Sequence, residues 1–210
     1  MNKDEFMRRW EAMPDVKHAE LIDGIVYMPS PVSFNHAHFQ GVLHHWLCTF
    51  EDHTPGCQSG IEATWLMAEK DVPSPNCTLR ILPELGGQST MEGIYVAGAP
   101  ELVIEVAVSS RARDLGAKLK LYENMGVREY LVALPTKQQL FWKTLDSNSR
   151  YQPLEPGPDG IFRSLFFPGL WLDLAALWRD DRPQLLTTLR QGLATPDHAA
   201  FVSRLAGKID

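Results

Sequence analysis

The sequence predicts one α/β domain built on a mixed β-sheet flanked by helices. Three observations predict it. Leu102-Val-Ile-Glu-Val-Ala-Val108 is an almost continuous apolar run, as a central strand covered on both faces requires. A helical segment follows, and Glu129-Tyr-Leu-Val-Ala-Leu134 returns as a second apolar run, the order expected of parallel neighbours joined by a right-handed crossover. Finally, 210 residues with 44% hydrophobic and 22% charged side chains suffice for one sizeable core.

In chain order, Glu5 to Met13 reads as a short helix ended by Pro14, which lacks a backbone donor. Asp23-Gly24 between apolar runs predicts a hairpin over Glu20 to Met28. After a break at Pro29 to Pro31, Ser33 or Asn35 caps a helix reaching about Glu51, with Phe39, Val42, Leu43, Trp46, Leu47 and Phe50 at helical spacing. Gly60 to Ala68 is strand-like, and the proline-marked loop from Asp71 to Pro75 leads into a strand from Asn76 to Leu82. Pro83 to Ala99 carries Gly86, Gly87, Gly93 and Gly98 and reads as a loop over a site. Beyond the central strand, a helix is expected from about Asp114 to Met125, stopped by Gly126. Gln139 to Leu145 and Tyr151 to Pro153 read as antiparallel additions ahead of Pro168 to Asp173 and C-terminal helices through Leu205.

Charge and cysteine content narrow the function classes. A formal net charge of −6 argues against tight non-specific DNA binding by the whole molecule, although a local groove or bound cation can reverse the potential. Cys48, Cys57 and Cys77 form no CxxC pair and read as reduced packing thiols. No apolar run is long enough to cross a membrane and the first residues are charged rather than signal-like, so a cytoplasmic protein is expected.

The candidate chemistry centres on Glu105, a carboxylate between Ile104 and Val106 that needs a partner or a metal if ionised and buried. Strand alternation places it on one face with Val103 and Ala107. On the following helix, taking Leu115 as zero at about 100° per residue, Leu119, Tyr122 and Met125 form one apolar face. Lys118, at about −60°, lies inside that face; Lys120, at about 140°, lies opposite. Lys118 either lays its stem along apolar surface or reaches Glu105.

Glu105-Val-Ala-Val-Ser109, Asp114, Lys118, Tyr122 and Gly126-Val-Arg-Glu-Tyr130 resemble the core of the Uma-type restriction endonucleases, a branch of the PD-(D/E)XK nuclease superfamily. Glu20-Leu-Ile-Asp-Gly24, Met28-Pro-Ser-Pro31, His36 and Pro100 to Glu105 are also similar. The resemblance implies a restriction-endonuclease-like domain over residues 1–172, with 173–210 as a helical extension packed on the domain or on a partner subunit. It further implies a Mg²⁺- or Mn²⁺-dependent endonuclease in which Glu105 binds metal, Lys118 orients the water, displaced onto a helix from the usual position now held by Ala107, and Glu20 assists.

One departure stands out. Where such sequences have Pro-Asp, this chain has Pro75-Asn76, so the ligand at 76 is an amide and metal binding is expected to be weak. Glu84, after Pro83, is a conceivable surrogate but lies about 25 Å further along an extended chain. His36, His38, His44 and His45 invite a zinc reading, yet no Cys or acidic partner completes a ligand spacing; caps or solvated side chains are the alternative. Three readings follow as expectations: an endonuclease acting on nucleic acid, DNA first; a catalytically inactive nuclease-fold module that binds nucleic acid or protein; and an acidic structural protein whose Glu105 and Lys118 form only an internal ion pair. A homodimer is expected for the first, since cutting two strands commonly uses two sites.

Overall fold

The computed structural model describes residues 1–28, 31–108 and 110–207. The break expected at 29–31 and the residue 109 of the quoted motif therefore fall mainly outside the described residues. In chain order the elements are α1 (Lys3–Glu11), β1 (Glu20–Ile22), β2 (Ile25–Tyr27), α2 (Phe34–Asp52), β3 (Cys57–Ile61), β4 (Trp65–Leu66), β5 (Cys77–Ile81), β6 (Ser89–Glu92), β7 (Tyr95–Gly98) and β8 (Leu102–Val106). They continue with α3 (Arg111–Asp114), α4 (Ala117–Asn124), β9 (Glu129–Leu134), β10 (Gln139–Leu145), β11 (Tyr151–Leu154), β12 (Ile161–Arg163), β13 (Trp171–Asp173), α5 (Leu174–Trp178), α6 (Arg182–Leu193) and α7 (Pro196–Ala206).

Six strands form the main sheet in the order β11-β10-β9-β8-β5-β3. Only β8 and β9 run parallel within it; the other pairs are antiparallel, which makes the sheet mixed as expected. The apolar runs of β8 and β9 lie at its centre because both faces are covered, and every residue of either strand is buried. Leu102, Ile104 and Val106 meet Leu43, Trp46 and Leu47 of α2, whereas Val103 and Ala107 face Leu121 and Tyr122 of α4. Glu105 shares the α4 face by alternation.

Several local expectations hold. The Asp23-Gly24 turn joins β1 to β2, with Glu20 opposite Tyr27. Ser33 is the cap of α2, its hydroxyl accepting the His36 N–H at 3.3 Å. Gly126 ends α4 at φ 74°, in the left-handed region that glycine enters without a side-chain penalty.

Three expectations are corrected. The segment from Pro83 to Ala99 is not an open loop: a 3₁₀ turn over Pro83–Leu85 leads into the β6–β7 hairpin, which pairs with β4 in a three-stranded sheet. Gly93 supplies the left-handed φ of 62° at its turn. The helix expected over 114–125 is two helices, because the chain bends at Gly116, where an added Cβ would lie 2.5 Å from the Ala112 carbonyl oxygen. The strand expected over 60–68 is interrupted at Glu62, which stands at φ 49° and ends β3.

The C-terminal helices pack on the same chain. Leu185, Leu189, Phe201 and Leu205 enter the core beneath α2. Trp46 Nε1 donates to the Trp171 carbonyl at 2.9 Å, and Thr54 Oγ1 bonds His198 Nε2 at 3.0 Å. Among the described residues, no helix is long and apolar enough to cross a membrane.

Candidate active site

At the C-terminal end of β8, a cleft of about 770 Å³ opens at the end of the sheet. The β1–β2 hairpin, the start of α2, the ends of β3 and β5, and the α3–α4 segment form its walls. Glu20, Asn76, Glu105 and Lys118, the four residues singled out by sequence, all line it.

The centre of the site is a buried charged cluster. Lys118 is 2% exposed, and its ammonium donates to Glu20 Oε1 at 2.7 Å and Glu105 Oε1 at 2.9 Å. The Tyr122 hydroxyl donates to the same Glu105 oxygen, also at 2.9 Å. Glu20 is fixed by the Ser74 N–H, 2.9 Å from Oε1, and its other oxygen lies 3.9 Å from the Arg113 guanidinium. An ammonium carries three donors, so one remains for a ligand in the cleft. Glu105 Oε2 likewise has no hydrogen-bond partner among the described residues. The helical reading of Lys118 thus reached the right outcome from a broken frame: Leu115, its angular reference, belongs to the cap of α3.

Burial pushes the Glu105 carboxyl above its usual range; the Lys118 ammonium opposes this, while the Asp114 and Glu20 carboxylates add to it. Lys118 is held charged: burial disfavours the ammonium, but Glu105, Glu20 and Asp114 outweigh that cost. Two carboxylates sharing one ammonium crowd negative charge beside the cleft, which a proton or a cation would relieve.

Asn76 occupies the entry of β5 and uses its side-chain oxygen to accept the Val106 N–H at 2.8 Å. That bond settles the orientation of the amide: the oxygen faces β8, and the NH₂ takes the opposite side. An aspartate there could accept the same N–H and keep a second charged oxygen. Glu84 lies on the 3₁₀ turn at the far end of β5, exposed and away from the cleft, so it is no surrogate. His36 lines the cleft, whereas His38 turns to Asp180 at 3.0 Å and His44 to Cys48, so these imidazoles do not converge.

Sequence reasoning missed two contributors. Arg113 lines the cleft, its guanidinium 5.2 Å from the centroid of the Tyr27 ring, and its Nε has no hydrogen-bond partner among the described residues. Glu62 lines the cleft beside Asn76; its Oε1 accepts from Gln40 Nε2 at 3.0 Å, and the same amide nitrogen donates to the Asn76 carbonyl at 3.1 Å. Among the described residues no three His, Cys, Asp or Glu side chains group as a metal site; what the cleft offers is an oxygen set of two carboxylates, Glu105 and Glu62, and the Asn76 amide. It fits a hard divalent cation better than zinc or copper.

The model of the family described as "Uma2: Putative restriction endonuclease" matches residues 4–175. The chain belongs to the Uma2 family. Its sheet and flanking helices are also similar to the crystal structure of a putative nuclease of the DUF820 group from Anabaena variabilis ATCC 29413, with a TM-score of 0.65 at 15% identity, covering 85% of this chain and 98% of that one. No curated protein matches the chain. As a Uma2 protein it has a nuclease-type fold, and the Uma2 match ends within α5, leaving α6 and α7 beyond it.

Proposed function

We propose that this Uma2 protein is a divalent-cation-dependent endonuclease that hydrolyses phosphodiester bonds of DNA. The observation that carries the reading is Lys118, buried between Glu20 and Glu105, while the second Glu105 oxygen has no partner among the described residues and borders an open cleft. An oxygen that borders an open cleft is accessible to a ligand from solvent, an opening that a purely internal ion pair does not need.

Each residue has a task in this reading. Glu105 and the Asn76 amide hold Mg²⁺ or Mn²⁺, which supplies Lewis acidity toward water and phosphate. Lys118 keeps Glu105 oriented and directs its remaining N–H toward the attacking water or a phosphoryl oxygen, where negative charge develops. Glu20 holds Lys118 in place and charged. Arg113, cationic at the wall, meets the incoming phosphate backbone. With the whole chain at −6, these local cations decide where an anion approaches.

The test is cleavage of single- and double-stranded DNA and of RNA by the purified protein with 5–10 mM Mn²⁺ or Mg²⁺, taken as on the order of a usual assay range. Cation-dependent cleavage that falls at least about 100-fold in both Glu105→Gln and Lys118→Met supports the reading. Cleavage unchanged in both variants contradicts it.

The Asn76 geometry favours a second reading, a catalytically inactive nuclease-fold module that binds nucleic acid or protein. Its amide oxygen is already engaged by Val106 and brings no charge. Under this reading, Mn²⁺ binds only after Asn76→Asp; under the first, the wild type binds it.

A further inference from the structure

We infer that Glu62 supplies the carboxylate that position 76 lacks, so that the cation ligands of this chain are Glu62 and Glu105 on either side of Asn76. This rests on the cation-dependent reading above and adds a ligand to that site. The strand registers carry it. Ile61 pairs with Cys77, and Cys77 with Ile104, and the next residues are Glu62, Asn76 and Glu105, a row just beyond the paired ladder in which Glu62 already leaves strand geometry at φ 49°. The Glu62 N–H donates to the Pro75 carbonyl at 3.1 Å, holding the row together where β3 ends. Both carboxylates line the one cleft, with Asn76 between them in the strand order β3-β5-β8.

Charge and hydrogen bonding single out the pair. Glu20 and Glu105 share the Lys118 ammonium, and Glu20 also faces Arg113. Glu62 lines the same cleft, has no cationic partner among the described residues, and takes its bond from the neutral Gln40 amide. Opposite it, Glu105 is 3% exposed and has an oxygen without a partner among the described residues. Gln40 is itself buried and grips both Glu62 and the Asn76 backbone, which makes it the positioning residue for the new ligand. The charge count of the site is thereby restored: an amide at 76 and a glutamate at 62 replace an aspartate at 76.

The experiment is Mn²⁺ titration followed by the loss of the free-ion electron paramagnetic resonance signal, on the full chain. Variants are Glu62→Gln, Glu105→Gln, and Glu62→Gln combined with Asn76→Asp. Glu62 is exposed at the end of its strand, so urea melts of its variant should match the wild type. The expected result is wild-type binding that weakens at least about tenfold in Glu62→Gln and returns to within about threefold of wild type when Asn76→Asp is added. Wild-type affinity in Glu62→Gln, with binding lost in Glu105→Gln, overturns the Glu62 assignment and leaves the cation site standing. No Mn²⁺ binding by the wild type overturns both.

Discussion

Glu105 and Glu129 are buried carboxylates on adjacent parallel strands, β8 and β9, and they differ in what their oxygens touch. Glu129 accepts from the Ser164 hydroxyl at 2.7 Å and from the Leu165 and Phe166 N–H groups at 2.8 and 3.1 Å. It ties the β12–β13 segment to the sheet, with both oxygens occupied. Glu101, just before β8, is similar: its oxygens accept the Ile81 and Gln88 N–H groups at 2.8 and 2.9 Å. Glu105 instead concentrates a lysine and a tyrosine on one oxygen and leaves the other toward a cleft. Burial alone therefore does not mark a site in this sheet; an acceptor left unused beside open space does.

The contrast is broken most severely by removing the ammonium. Lys118→Met strands Glu20 and Glu105 without their shared cation and should cost about 3–5 kcal/mol in urea denaturation at neutral pH. At the structural end, Glu129→Ala leaves two backbone donors and a hydroxyl without an acceptor and should cost about 1–3 kcal/mol. That variant should bind Mn²⁺ as the wild type does; if its affinity changed, the two carboxylates would not be doing separate jobs.

Titration sharpens the same contrast. Burial raises the Glu129 carboxyl above its ordinary range, and the Ser164, Phe166 and Leu165 hydrogen bonds only partly offset it. The folded state thus holds this proton more tightly than the unfolded chain. Its contribution to stability is present below the ordinary carboxyl range and is lost as pH rises through the raised one. Glu129→Gln should flatten the stability-pH curve in that window, read from denaturation midpoints across pH. The smallest effect belongs to Glu84→Gln, exposed on its 3₁₀ turn: a stability change within about 0.5 kcal/mol and no change in Mn²⁺ affinity.

The Glu105–Lys118 pair was legible in the sequence because the strand period holds over β8 and the helix period holds from Lys118 to Tyr122 within α4, although Leu115, the reference used, lies outside that helix. Glu20 and Asn76 came from the resemblance, and the structure gathers them at the same cleft. Glu62 was not legible. Its left-handed φ interrupts an apparently regular strand, and only a neighbouring strand, through the Pro75 carbonyl, shows where the chain turns. Arg113 was hidden for a related reason, since the helix expected to start near it is split at Gly116. The glycines of 83–99 misled in the opposite sense. Gly93 marks a hairpin turn, and at Gly98 an added Cβ would come within 2.8 Å of the Gln88 carbonyl oxygen, so they signal close-packed strands rather than a loop.

Calorimetric titration of Mn²⁺ and Mg²⁺ into the wild type and Glu105→Gln tests the central claim most directly. Saturable binding of one site per chain in the wild type, absent in Glu105→Gln, is the predicted result. Equal heats in the two proteins, or none from the wild type at millimolar cation, would contradict the assignment of the partner-free Glu105 oxygen to a cation.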